Sequence, residues 1–377
     1  MTDSIWSKIL AFFMSIIMAI GAFFGAYEES AQPQGKTEYF NGEIKNIIYL
    51  IGDGMGFNHL EKTKVERQTT LVMDSFEFAG NSMTRSANSE VTDSAAGGTA
   101  LSTGVRTDNG AVGVYPSDKN AEISYPKNIT ELCMERGMLT GVVTTDETTG
   151  ATPSAFSAHS SSRNNEEELT ADQLSSGINL IWGKANGVAT ESDVEANGYD
   201  YIATYDEMMA LEEGSCSYGQ FTSSLWTLKQ SNKKTPNLEQ MAMKAIDILD
   251  DTDEGFFLMI EGAHIDKHSH NNISDKMTES LKEFDNTIAA VLEYAKADGE
   301  TLVIVTADHE TGAITLDGDE YKFTSGSHSK VDVPLLVYGS DKFMENGATL
   351  NNYDIPARIA YTLGYGEEDF PIAVTVS

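Results

Sequence analysis

Acidic and imidazole side chains recur in three short stretches that could hold a divalent cation. Asp53 lies in Gly52-Asp53-Gly54-Met55-Gly56, Asp308 and His309 are adjacent, and Glu261, Asp266 and His270 share one ten-residue segment. Carboxylate oxygens with imidazole nitrogens suit Zn²⁺. Taken singly, each is weak: an Asp after a strand is commonly a turn or capping residue, and an Asp–His pair four apart is commonly a surface ion pair. If residues 261–270 form a helix, Asp266 and His270 share a face, but so do His264 and His268, and spacing alone does not choose between them. Ser94, in Asp93-Ser94-Ala95-Ala96-Gly97-Gly98, stands where small residues begin a helix. A serine there caps free amides, and the same amides favour an alkoxide or a phosphate.

These residues need rigid elements to bring them together. Apolar runs predict buried strands at Asn46–Ile51, Leu139–Thr144, Gly255–Ile260, Thr301–Thr306 and Val333–Tyr338. Helical patterns predict helices at Asn128–Arg136, Asn237–Leu249, Ser274–Ala297 and Tyr353–Leu363. The alternation implies an α/β three-layer sandwich, a largely parallel central sheet with helices on both faces. Ligands of such sheets bind beyond the carboxyl ends of the strands. Asp53, Glu261 and Asp308-His309 fall at three predicted strand ends, so one rim would receive them all. Residues 171–234, rich in Gly, Ser and acidic side chains, read as a surface excursion shaping the pocket.

The chain of 377 residues carries 58 acidic against 25 basic residues, a formal charge of −33. That balance argues against a nonspecific grip on nucleic acid, so positive charge for an anionic ligand must be local, from metals or a few cations. Cys133 and Cys216 form no disulfide framework, and Cys133 reads as a small buried residue. Ile9 to Tyr27 is uncharged, follows Lys8 and precedes Glu28 and Glu29. It is long enough to span a bilayer, and Ala19 and Gly21 offer small residues for cleavage. A signal peptide and a membrane anchor over residues 1–27 both imply an exported, outward-facing protein, with a linker at 28–44 and a catalytic domain at 45–377.

Six stretches occur together and in one order. They are Gly52-Asp53-Gly54-Met55-Gly56; Val91-Thr92-Asp93-Ser94-Ala95; Ala151-Thr152-Pro153 with Ala158-His159 and Arg163; Glu261-Gly262-Ala263 through Asp266 and His270; Thr306-Ala307-Asp308-His309-Glu310-Thr311-Gly312; and Ser325-Gly326-Ser327-His328. In kind and order they resemble the motifs of the alkaline phosphatase family, from about Lys45 to the C-terminus. The resemblance selects Asp266 and His270 over His264 and His268. It implies one zinc on Asp266, His270 and His328, and a second on Asp53, Asp308 and His309, with Ser94 as its serine ligand and the nucleophile. A magnesium would lie on Asp53, Thr152 and Glu261. Arg163 would clamp two phosphate oxygens, and Lys267 would contact phosphate through water. It further implies phosphate monoesters as substrates, a phosphoserine intermediate and a homodimer.

The sequence departs from that pattern two residues before Thr152, where many relatives carry Asp or His and this chain has Gly150. The departure predicts a weaker magnesium site and a Lys267 without its usual acidic counterpart. Two other readings use the same residues: a phosphodiesterase or sulfatase on the same scaffold, and a non-catalytic phosphate- or metal-binding surface protein. Arg163 favours a monoester, which has two free non-bridging oxygens to clamp, and Ser94 argues against a surface protein that has lost catalysis.

Overall fold

The computed structural model describes residues 44–116, 125–221, 235–250, 252–366 and 370. The apolar run 9–27 lies outside them, and among the described residues no helix is long and apolar enough to cross a membrane.

Among the described residues, fourteen strands and eleven α-helices follow one another. The strands are β1 (Asn46–Gly52), β2 (Phe78–Met83), β3 (Leu139–Glu147), β4 (Leu180–Lys184), β5 (Asp200–Ile202), β6 (Ser217–Phe221), β7 (Phe256–Gly262), β8 (Thr301–Thr306), β9 (Glu310–Thr311), β10 (Thr315–Asp317), β11 (Glu320–Lys322), β12 (His328–Ser329), β13 (Val333–Tyr338) and β14 (Thr349–Asn351). The helices are α1 (Phe57–Arg67), α2 (Ser94–Thr103), α3 (Ile129–Glu135), α4 (Ala151–Ala155), α5 (Glu166–Ser175), α6 (Glu191–Ala196), α7 (Tyr205–Ala210), α8 (Leu238–Leu249), α9 (His264–His270), α10 (Ser274–Asp298) and α11 (Ile355–Thr362). Ten strands form one sheet in the order β14-β2-β13-β8-β1-β7-β3-β4-β6-β5. All neighbours are parallel except those of β13, which runs against both β8 and β2.

The central strands are apolar on both sides because both faces are covered. Ile48 and Leu50 of β1 pack into a core with α8 and α10, while Ile47, Tyr49 and Ile51 pack into a second core with α2, α3 and α11. β1, β7 and β8 end level with one another: Ile51 pairs with Glu261 on one side and Thr306 on the other. The residues that follow therefore leave the sheet side by side.

The stretch 171–234 is not a surface excursion. Its described part supplies β4, β5 and β6, which widen the sheet beyond β3. Ser217–Phe221 carries few apolar residues yet is wholly buried. The Tyr218 hydroxyl meets Gln173 Oε1 at 2.7 Å and Thr148 Oγ1 at 3.0 Å, and Gln220 donates to Thr148 Oγ1 at 2.9 Å. A satisfied polar network replaces the hydrophobic run by which buried strands are usually recognised.

Candidate metal and phosphate site

Beyond the level ends of β8, β1 and β7 the chain turns sharply. Gly54 has φ +72°, and a Cβ there would lie 2.9 Å from the Asp266 backbone, so both the turn and the close approach of α9 require glycine. Gly54 N in turn donates to Asp308 Oδ1 at 3.2 Å, tying the turn after β1 to the end of β8. Helix α2 presses on the same place: a Cβ at Gly97 would meet the Asp308 carbonyl oxygen at 2.8 Å. The small residues of α2 thus let Ser94 reach the rim.

The rim gathers the predicted ligands. Asp53, Asp308 and His309 form one group and Asp266, His309 and His328 another, with one ligand atom from each residue within 4.8 Å of the others. His309 Nε2 lies 3.3 Å from both Asp53 Oδ1 and Asp308 Oδ2 and 3.0 Å from Ser94 Oγ. Its ring stacks on His328 at 3.6 Å. His270 Nε2 is 3.3 Å from Asp266 Oδ2 and 3.1 Å from His328 Nε2. Residues 264–270 are helical, and it is the Asp266 and His270 face that meets the rim; His264 turns its Nδ1 to Thr145 Oγ1 at 3.2 Å. His59 and His159 are likewise engaged elsewhere, with Ser269 and Glu131.

Two features show that these residues fit cations. His270 Nδ1 faces the Gly326 carbonyl at 2.8 Å and His328 Nδ1 the Thr92 carbonyl at 2.9 Å. A carbonyl only accepts, so each Nδ1 carries a proton and Nε2 is the nitrogen turned inward, the orientation that carbonyl partners impose on metal-binding histidines. Two such Nε2 atoms 3.1 Å apart need a shared proton or cation. Asp53 Oδ1 is sealed from solvent with no hydrogen-bond partner among the described residues. Such a carboxylate is costly unless a cation compensates it.

The electrostatics agree. Burial, then the charge of Asp308 and other carboxylates, pushes Asp53 well above the usual carboxylate range. Burial and Asp266 raise Asp308 to about 7, and burial and Asp146 raise Glu261 to about 8. Burial likewise opposes ionisation of Asp266, but its hydrogen bond to His270 and the nearby His309 outweigh it and hold the carboxyl low. The same hydrogen bond raises His270 to about 9. Without positive charge Asp53, Asp308 and Glu261 favour their protonated forms, and divalent cations would displace those protons.

Ser94 opens α2, capped by Asp93, whose Oδ1 accepts from Ala96 N at 3.0 Å. Asp93 Oδ2 also accepts from Gly110 N at 2.9 Å and Arg163 Nη1 at 3.3 Å, tethering the guanidinium beside the serine. The capping role expected of Ser94 belongs to Asp93, which also holds Arg163. Thr152 donates to Asp308 Oδ2 at the long distance of 3.5 Å, whereas the hydroxyl on Glu261 is that of Thr144, which no sequence motif marks. Thr311, within a recognised stretch, joins Asp266 to His309. Lys267 does not lack an acidic partner: its ammonium pairs with Asp146, from the end of β3. Burial pulls Lys267 down, but Asp146, Glu261 and Asp53 outweigh it and hold the group above its usual range.

A family model described as alkaline phosphatase matches residues 44–182 and 183–345. Alkaline phosphatase 4 of Bacillus subtilis is 32% identical over 341 residues, covering 84% of this chain and 72% of its own. The alkaline phosphatase of the Antarctic bacterium TAB5 superposes with a TM-score of 0.76 at 29% identity, covering 86% of this chain and 99% of its own. A substituted form of that Antarctic enzyme, described with Mg bound in its M3 site, superposes at 0.74 with the same identity and coverage. With its sheet, rim residues and motifs in accord, the chain belongs to the alkaline phosphatase family and is a phosphoric monoester hydrolase.

Proposed function

We propose that the chain hydrolyses phosphate monoesters through a phosphoserine at Ser94, with two zinc ions and one magnesium ion held at the rim. Asp266, His270 and His328 would hold one zinc, Asp53, Asp308 and His309 the other, and Asp53, Thr152 and Glu261 the magnesium. The observation that carries the reading is Ser94 Oγ at the start of α2, 3.0 Å from His309 Nε2 and facing the buried carboxylates. Bound divalent cations supply the positive charge that makes a serine hydroxyl and a water acidic near neutral pH and that offsets charge on the departing ester oxygen.

Ser94 Oγ attacks phosphorus in line, the bond from phosphorus to the alcohol oxygen breaks, and the phosphoryl group rests on the serine. Water then attacks from the vacated side, breaks the bond to Ser94 and frees inorganic phosphate. Arg163, oriented by Asp93, donates to two non-bridging oxygens, which a monoester leaves free. The free amides of the first turn of α2 favour the same dianion. Lys267 contacts it through water. In the same reading residues 1–27 export the chain or anchor it outside the cell, residues 45–377 form the catalytic domain, and two copies form a homodimer.

The test is hydrolysis of 4-nitrophenyl phosphate between pH 7 and 10 with Zn²⁺ and Mg²⁺, beside the matched diester and sulfate ester, before and after chelation. Alkaline-favoured, chelator-sensitive cleavage of the monoester above the others is expected. Preference for the diester or sulfate ester, or no cleavage by folded, metal-loaded protein, would overturn the reading.

A further inference from the structure

Gly150 has an ordinary backbone, φ −51° and ψ 152°, open to any residue. Space, not conformation, is what a side chain here would contest: a Cβ would lie 2.8 Å from Asp146 Oδ2, which would have to move away, and 3.0 Å from the Glu147 carbonyl oxygen. The carboxylate of Asp146 stands where a side chain at position 150 would go.

Strand β3 explains how it gets there. Val143 pairs with Trp182 and Glu147 with Lys184, so four steps along β3 match two along β4. The bulge between them re-aims the side chains it contains, a usual consequence of extra residues in a strand. Thr144 accepts the Asp146 amide at 2.8 Å and itself donates to Glu261, while Thr145 accepts the Ala263 amide at 3.0 Å. The bulge is therefore fastened on both sides to β7 and the start of α9. Asp146 pairs with Lys267, and its charge reaches Glu261 and Asp53, whose sealed Oδ1 has no hydrogen-bond partner among the described residues.

We propose that Asp146, turned inward by the bulge in β3 into the space left by Gly150, is the positioning carboxylate of the magnesium site, orienting Lys267 and the site's outer waters. The proposal rests on the cation assignment given under the proposed function. It makes Asp146 and Gly150 a matched pair: a side chain at position 150 would displace the carboxylate that reaches this point from position 146, so the two positions are energetically coupled.

The experiment is calorimetric titration of Mg²⁺ into zinc-loaded wild type, Asp146→Asn, Asp146→Ala and Asp146→Ala/Gly150→Asp, with circular dichroism and thermal melting of each. Asp146→Asn keeps the shape and removes the charge, so it reports even if the alanine variant fails to fold. Loss of an outer-shell partner predicts Mg²⁺ binding weakened about 10–100-fold in both single variants, and the double variant returning to within about threefold of wild type. In phosphate-inhibition assays at one fixed pH the single variants should also change the inhibition constant of phosphate, because Lys267 loses the carboxylate that orients it; a merely structural role would leave that constant in place. Unchanged Mg²⁺ affinity in Asp146→Asn, or a folded double variant binding no better than Asp146→Ala, would overturn the proposal. No Mg²⁺ binding by the wild type would instead defeat the cation assignment, and this inference with it.

Discussion

Buried carboxylates occur in two quite different settings. At the rim, Asp53, Glu261, Asp266 and Asp308 lie together with His309 among them. Within α10, Glu283 is buried, its Oε1 has no hydrogen-bond partner among the described residues, and burial, helped by the charges of Glu279 and Glu239, raises it to about 8. Both settings disfavour the charged carboxylate, but they resolve it differently. A buried acid outside the imidazole cluster keeps its proton, whereas a cluster with inward-facing imidazole nitrogens is arranged for metal ions. Clustering and aimed imidazole nitrogens, rather than burial or a shifted pKa, distinguish a functional site from a structural oddity.

The largest effect expected is at the nucleophile. Ser94→Ala should lower kcat for 4-nitrophenyl phosphate by at least about 10³-fold with the melting temperature nearly unchanged. Near-wild-type turnover would detach the rim from the chemistry.

Chelation separates the two settings next. Asp308 and Glu261, raised in the metal-free fold to about 7 and 8, bind protons there that the unfolded chain releases near pH 4. The unfolded state therefore binds fewer protons, and metal-free stability falls as pH rises through that window. Cations in place of those protons remove the dependence. The gap in melting temperature between metal-loaded and chelated protein should widen from pH 6 to pH 9, and a gap independent of pH would count against the cluster as the cation site.

A smaller loss is expected at the clamp. Arg163→Lys keeps the charge but not the planar fork, and should lower kcat/KM about 10–100-fold by steady-state kinetics.

The smallest effect belongs to the acid outside the cluster. Glu283→Gln should leave kcat unchanged and stabilise the protein at pH 9 by about 1–3 kcal/mol in urea melts. The gain should vanish below about pH 4.5, where the wild-type side chain is protonated folded or unfolded, and should not depend on chelator. A gain present only after chelation would link Glu283 to the rim and erase the contrast.

The sequence made the middle of the sheet legible because β1, β3, β7, β8 and β13 are covered on both faces and read as apolar runs. It hid β6, whose Tyr218 and Gln220 are buried through hydrogen bonds, and the short polar edge strands β5 and β14. At the site, Asp53, Glu261, Asp308 and His309 were readable as candidates at strand ends, whereas spacing left Asp266 and His270 level with His264 and His268 and only the family resemblance chose between them. Asp146 was not readable, because its position depends on a bulge, and no periodic pattern announces one. Gly150 was visible as a departure, but its meaning required knowing what fills the space beside it.

The most direct test of the central claim is to quench the metal-loaded enzyme in acid during turnover of a phosphate monoester and map phosphorylated peptides by mass spectrometry. The account predicts one phosphoryl group, on Ser94, absent after chelation and absent in Ser94→Ala. A phosphoryl group on another residue, or turnover of wild type with none on Ser94, would contradict it.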